Sequence, residues 1–448
     1  MAKLPSKWLA LAGLLSLGAT SLFAQDSKAL IDALVKKGIL TDADAKQIAA
    51  EVSQSQSAMD VATTNDKILK KLTISGRFQV QYAGLGTGID GAVTPVSTEH
   101  FFLRRIYVGV KAEFGDGLSG VLNYDFANTS FDAAYLEWKQ SDALVFDAGL
   151  KKAPFGYEEL TSSGNLRSIE RSVITRYIDE PNNGRRLGAA SYRTGLYLSG
   201  TSQGLFYTVA LTNPERNEYS SDGATNAITV NGLGGVATTG GATTNKFAYY
   251  GTVGYGGKFQ DGAYKIGYEA GFLPDQGGPG ATIGAGKNIT LNGLYADVTA
   301  GAFNLQGEWE QAKVDSGAGL GINASPSGYW IQPAYKLTPQ WEAVVRYSYV
   351  DSDHRGVALS DGVRSAPSGG TMNTLSEWYF GCNWYIKGND FKLQVGYIHG
   401  ESNDTVTGGS ASAKADGIRS QFPDADERRV QEILCERLAL SRRLENHL

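Results

Sequence analysis

The side chains in this sequence best placed for chemistry are arginines. Arg77, Arg104 and Arg105 lie in segments where apolar and polar residues alternate with a period of two. In such a segment one face meets lipid or a core and the other meets water. Arg77 is on the polar register, between Ser75 and Gln79. Arg105 shares a face with Tyr107, Gly109 and Lys111, and Arg104 shares the other with Ile106, Val108 and Val110. A charge facing lipid at mid-bilayer costs roughly 2–4 kcal/mol, less near the interface. Arg105 is therefore expected in a lumen, and Arg104 at the rim or turned inward by a bulge. A lumenal guanidinium is a fixed positive charge that attracts anions without needing deprotonation. The competing reading is an arginine that only pairs with a neighbouring acid.

Other motifs carry less. Gly200-Thr201-Ser202-Gln203-Gly204 matches G-x-S-x-G, but a nucleophile elbow joins a strand to a helix, and strands flank this one on both sides. It reads as a turn. The glycine-rich stretch 280–287 misses the phosphate-loop spacing, and Asn288 stands where Ser or Thr is required. The four histidines, His100, His354, His399 and His447, have no metal-ligand spacing. Asp351-Ser352-Asp353 opens like a calcium loop, but Arg355 takes its fifth position. Cys382 alternates with Phe380 and Trp384 and is expected to face outward. No nucleophile–base set emerges, so an enzyme is disfavoured, and no cofactor is expected.

The elements that would position these residues are strands. The 448 residues include 56 glycines, 23 tyrosines and 17 phenylalanines but two cysteines, which favours turn-rich β structure over a disulfide or zinc scaffold. A net charge of −5 argues against a nucleic-acid partner. Residues 1–24 read as a secretory signal: Lys3 and Lys7, an apolar stretch from Trp8 to Leu22, and a cut before Gln25. Beyond it no apolar run reaches the 18 or so residues of a spanning helix.

From Leu72 to Phe422 sixteen alternating segments follow one another. Tight turns such as Gly115-Asp116-Gly117 and Gln260-Asp261-Gly262 alternate with long connections, among them 155–185, 213–246 and 352–373. A membrane barrel with short turns at one end and long loops at the other needs this alternation; a sandwich does not. Tyr82, Trp138, Trp309, Trp341 and Trp378 near segment ends fit interfacial girdles. The expected fold is all-β: a 16-stranded antiparallel transmembrane barrel with Leu72, Phe78, Val80, Val345 and Val395 outward. The other reading of the pattern is a secreted soluble β-rich adhesin or glycan-binding protein.

Several blocks resemble the phosphate-selective porin O/P family of bacterial outer membranes. They are Ile74-Ser75-Gly76-Arg77-Phe78, Phe102-Leu103-Arg104-Arg105, the run from Gly149 to Gly156 with Glu158-Glu159-Leu160, Glu170-Arg171, and Asn383-Trp384-Tyr385. The resemblance implies a passive anion pore, usually a homotrimer, set in outer-membrane lipid and lipopolysaccharide, with phosphate among the permeants. It implies that the third external loop, 155–185, folds inward. Arg77, Arg104 and Arg105 match positions of an arginine ladder at the entrance, and Lys152 and Arg171 match family positions that line the pore and attract anions. Asp132 matches a constriction aspartate. Glu159 stands where selective members carry the phosphate-binding lysine, and the fourth loop, 213–246, has one arginine, Arg216. A carboxylate in a narrow pore repels phosphate.

The expected division is a signal at 1–24, a helical periplasmic segment and linker at 25–71, the barrel at 72–422 and a tail at 423–448. The N-terminal segment reads either as a spacer or as a short coiled-coil or peptidoglycan-facing element. Pro423 opens a charged, helix-prone tail unlike anything before it; a strand that pairs on both sides has no place for proline.

Overall fold

A computed structural model describes residues 59–63, 69–89, 96–181, 185–213, 247–274, 288–315 and 323–422. The signal, the N-terminal helical stretch, Arg216, the glycine-rich stretch 280–287, Cys435, His447 and the tail lie outside them.

The strands are β1 (Met59–Thr63), β2 (Lys71–Ile89), β3 (Val96–Gly115), β4 (Leu118–Asp125), β5 (Ser130–Ser141), β6 (Leu144–Lys152), β7 (Tyr192–Ser202), β8 (Leu205–Thr212) and β9 (Ala248–Phe259). They continue as β10 (Gly262–Leu273), β11 (Ile289–Ala300), β12 (Phe303–Val314), β13 (Ser327–Lys336), β14 (Trp341–Asp351), β15 (Met372–Tyr385), β16 (Lys392–Thr405) and β17 (Ser412–Phe422). Among the described residues three short helices interrupt them: α1 (Tyr157–Leu160), α2 (Val173–Ile178) and α3 (Leu359–Gly362). Each strand from β2 to β17 pairs antiparallel with the next, and β17 returns to β2 with Phe422 opposite Val80 and Ala413 opposite Ile89. The sixteen strands thus close a barrel, which leaves no edge for lipid to desolvate.

The outer face is apolar as the alternation requires. Phe78, Val108, Leu136, Leu196, Ile266, Leu294, Phe380 and Val395 are exposed, and Leu72, Val80 and Val345 share their register, half-exposed. His399 is outward too, with its Nδ1 2.6 Å from Asp416. The segment Gly200–Gly204 is a hairpin: Gln203 and Gly204 form a two-residue turn with φ of 51° and 89°, the conformation that matches strand twist in tight hairpins.

Two features depart from a plain alternating barrel. At the loop end the inner face of several strands is apolar, not polar: Leu273, Ile289, Leu291, Val350 and Leu375 are buried there. They pack against Phe155, Ile169, Val173, Ile174, Tyr177 and Ile178 of the third loop and Leu359 and Val363 of the seventh. Loops that fold inward need an apolar seat, so the wall beneath them is apolar on both sides. The second feature is β1, which lies in the stretch read from sequence as a linker. It pairs antiparallel with β2, Met59 opposite Ile74 and Thr63 opposite Lys71. Because β3 holds the other edge of β2 over the same residues, β1 lies on the edge that β17 uses and continues its line toward the turn end.

Candidate functional site

A bulge sets the first side chains of the lumen. The pairing of β2 with β3 shifts between Gln79 and Val80, which face Arg105 and Leu103. Arg104 is the extra residue. Above it Phe101 and Leu103 are exposed outward; below it Val108 is. The one-residue insertion turns Arg104 and Arg105 to the same side. Arg104 forks onto Glu170 of the third loop, Nε to Oε1 at 2.7 Å and Nη2 to Oε2 at 3.2 Å. Arg105 donates to Gln79 at 2.8 Å, and Arg77 donates to Ser163 at 3.0 Å.

Residues 153–181 cross the lumen and are held by the wall of β10 to β16. The Gly156 N–H donates to Glu269 Oε1 at 2.9 Å. Those of Tyr157 and Glu158 both donate to the Glu308 carboxylate, the latter at 3.0 Å. Trp330 Nε1 donates to the same carboxylate at 2.9 Å. Gly156 has φ of +81°, and a methyl there would sit 2.2 Å from Asp179 Oδ2, so glycine is required for this turn. Arg346 of β14, fully buried, donates to Glu158 at 2.9 Å, Ser168 at 2.6 Å, the Glu170 carbonyl at 2.8 Å and Glu377 at 2.7 Å. Lower down, Lys392 donates to the Leu166 carbonyl at 2.7 Å, and Arg167 reaches Glu342 at 2.9 Å.

The seventh loop straps the third from the loop end. Arg364 binds Glu170 at 2.9 Å and Glu180 at 3.0 Å, Arg185 binds Asp361 at 2.6 Å, and Arg176 donates to the Gly362 carbonyl at 2.6 Å. Burial disfavours the charge on Glu170, but Arg104 and Arg364 outweigh it and hold the carboxyl well below the usual range. Arg364, Arg176 and Arg186 do the same for Glu180. Burial pulls Arg176 itself down to about 9 despite Glu180.

What remains open is a cavity of about 840 Å³ between this loop and the wall from β2 to β7. Arg77, Arg104, Arg105, Asp132, Lys152, Glu159 and Arg171 all line it. In all, seven basic and four acidic side chains face it, with Tyr107, Tyr135 and Tyr192 between them. At its narrow side Glu159 lies 3.2 Å from Lys152 and 2.9 Å from Arg171. Burial pushes the Glu159 carboxyl up, but Arg171 and then Lys152 hold it below its ordinary value. The hydrogen bonds of Arg171 go to the carbonyls of Glu158, Glu159 and Thr161, so it fixes α1 as well as its charge. Asp132 bonds the Tyr107 hydroxyl. A second cavity, about 630 Å³, lies toward the turns between Tyr157, Arg167, Asp297 and Lys336.

Sequence reasoning did not single out Arg364, Glu180 or Arg346 as parts of this lumen. Arg346 carried a usable signal, since it alternates with Val345 and Tyr347 on the polar register. Arg364 carried none, because its loop has no period.

No match is found among curated proteins. Among solved structures the chain is similar to OmpT of Vibrio cholerae, at 14% identity and a TM-score of 0.46, over 80% of this chain and 100% of that one. It is similar to the anion-selective porin from Comamonas acidovorans at 11% identity and 0.49, over 78% and 99%. It is also similar to the outer membrane channel DcaP of Acinetobacter baumannii at 10% identity and 0.47, over 79% and 97%. The family described as phosphate-selective porin O and P matches residues 72–422, all of the closed barrel, and the chain belongs to that family of bacterial outer-membrane porins.

Proposed function

We propose that this porin passes small anions passively and prefers them to cations, without singling out phosphate. The observation that carries this is the lining of the larger cavity, seven basic side chains against four acidic. Fixed charges of one sign in a narrow low-dielectric passage raise the local concentration of the opposite ion. Arg77 donates to Ser163 and Arg105 to Gln79, and both guanidiniums line the cavity. Lys152 and Arg171 share the Glu159 carboxylate, which offsets one of their two positive charges. That favours a weak anion preference over tight phosphate binding.

Reversal potentials in planar bilayers test this. The Arg105→Ala, Arg171→Ala double variant should lower the chloride-to-potassium permeability ratio, and an unchanged ratio overturns the reading. Glu159→Lys should increase phosphate block of chloride current. If it does not, Glu159 lies off the path of the ion.

Assembly as a homotrimer belongs to the same reading. It is supported by an outward polar cluster near the loop end of β16 and β17, His399–Asp416 and Lys414–Glu401 at 3.2 Å. Charged pairs gain more against a protein neighbour than against hydrocarbon. Cross-linking in native membranes tests it.

A further inference from the structure

Behind the third loop lies a group of acids of which the channel reading uses only Glu159. Asp179 caps the C-terminal end of α2 and is fully buried, and neither of its carboxylate oxygens has a hydrogen-bond partner. Facing it are Glu310 and Glu308 from β12, Glu269 from β10 and Glu159 from α1. Glu269 and Glu310 are fully buried, and each has one oxygen without a partner. The other oxygen of each holds the loop: Glu269 takes the Gly156 N–H at 2.9 Å and Glu310 the Thr175 hydroxyl at 3.2 Å. Gly156, against which the Asp179 carboxyl rests, therefore joins both. Of the nearby bases, Arg171 is paired with Glu159, Arg346 with Glu158 and Glu377, and Lys265 of β10 lies between Glu269 and Asp297.

Several ionised carboxylates cannot share one buried space, because each desolvated charge raises the energy of the next. A carboxyl that keeps its proton can instead donate to a neighbouring carboxylate, which satisfies both. Among the described residues no group of three or more His, Cys, Asp and Glu is arranged to hold a metal ion. The cluster is suited to protons.

We propose that these acids are a proton-operated latch: protonated Asp179, with Glu310 and Glu269, keeps residues 153–181 seated on β10 and β12, and loss of the proton releases the loop. The free space beside the loop is the larger cavity, so a released loop moves into the ion path. Burial first, and then Glu310, Glu308, Glu159 and Glu269, push the Asp179 carboxyl well above the usual aspartate range. The sign follows from linkage. Through these acids the seated loop binds more protons than the released one, so the latch's contribution is full below the ordinary aspartate value, about 4, and is lost as pH rises through the raised one. The inference rests on the channel reading for one of its two measurements only.

Single-channel recording between roughly pH 5 and pH 9 is the first. The wild-type protein should close several-fold more often at the alkaline end. Asp179→Asn carries the shape of the protonated acid without its charge and should close rarely at every pH; Glu310→Gln should shift the same way. A wild-type closing frequency independent of pH, or an Asp179→Asn profile equal to wild type, overturns the latch. So does a pH effect reproduced by millimolar magnesium at constant pH. The second measurement needs no current. Hydrogen-exchange protection of the Gly156–Glu158 amides should fall about tenfold or more over the same range in wild type and stay level in Asp179→Asn. Equal protection in the two proteins overturns the proposal even if no current is recorded.

Discussion

Arg346 shows how a single charge can hold a loop in place. It is 1% exposed and donates to two carboxylates, a hydroxyl and a carbonyl. Replacing it with methionine leaves Glu158 and Glu377 buried without the guanidinium that bonds them both. Removing one partner of a buried pair costs about 3–5 kcal/mol. Arg346→Met should therefore lower the temperature at which the folded band is lost on a heat-modifiability gel, and increase current noise. The loop end behaves differently. Glu170 and Glu180 are held below their ordinary range by arginines, so their contribution is present above that range and lost as pH falls through the depressed values. Exchange protection of residues 166–181 should drop in acid. Arg364→Ala should move that drop to higher pH, because both carboxyls are then less depressed. A profile unchanged in Arg364→Ala would show that Arg104, Arg176 and Arg186 suffice.

A backbone requirement decides how the third loop leaves the wall. Gly149 lies inside β6 with φ of +135°, and a methyl there would sit 2.3 Å from the Ala134 carbonyl oxygen on β5. Only glycine takes that conformation without strain, which costs other residues about 1–3 kcal/mol before any clash. Gly149→Ala should reduce the yield of folded barrel and lower its thermal stability, as measured by the same gel. Equal stability would mean that β5 and β6 can part slightly at no cost. Three residues on, Lys152 ends the strand at the cavity, and the chain then enters the lumen. The strand that supplies a pore cation is also the one that launches the constricting loop.

At the scale of the molecule the barrel is asymmetric in charge. Its lumen is filled on one side by the third and seventh loops and open on the other, beside β2 to β7, where the bases outnumber the acids. Many of these side chains are paired, so selectivity comes from a summed field and not from one tight contact. Such a field is screened within about 10 Å at 0.1 M salt and about 3 Å at 1 M. The chloride-to-potassium permeability ratio should therefore be greatest in dilute salt and approach the free-solution value near 1 M. A ratio that stays constant over this range would point to a discrete binding site in place of a field.

The alternation of apolar and polar residues was enough to place sixteen strands, because side chains in a strand point to opposite faces and lipid tolerates one kind. It also gave the lumenal sense of Arg77 and Arg105 and left Arg104 either at the rim or turned inward by a bulge, between which the shifted pairing of β2 with β3 decides. The family resemblance supplied what period could not, namely that the third loop turns inward and that Lys152, Glu159 and Arg171 are candidates for the pore lining. The partners of that loop were out of reach. Arg346 meets Glu158 across 188 positions, and Tyr157 and Glu158 meet Glu308 across 151 and 150. No local rule links such positions, because a closed barrel brings distant strands to one loop through its curvature. The apolar inner wall at Leu291 and Leu375 reads in sequence as a broken alternation, and it acquires a reason only when Ile174 and Tyr177 are seated on it. Asp179 is one acid among many along the chain. That it lies without a partner among Glu269, Glu308 and Glu310 follows from where α2 ends, and the tertiary structure alone decides that.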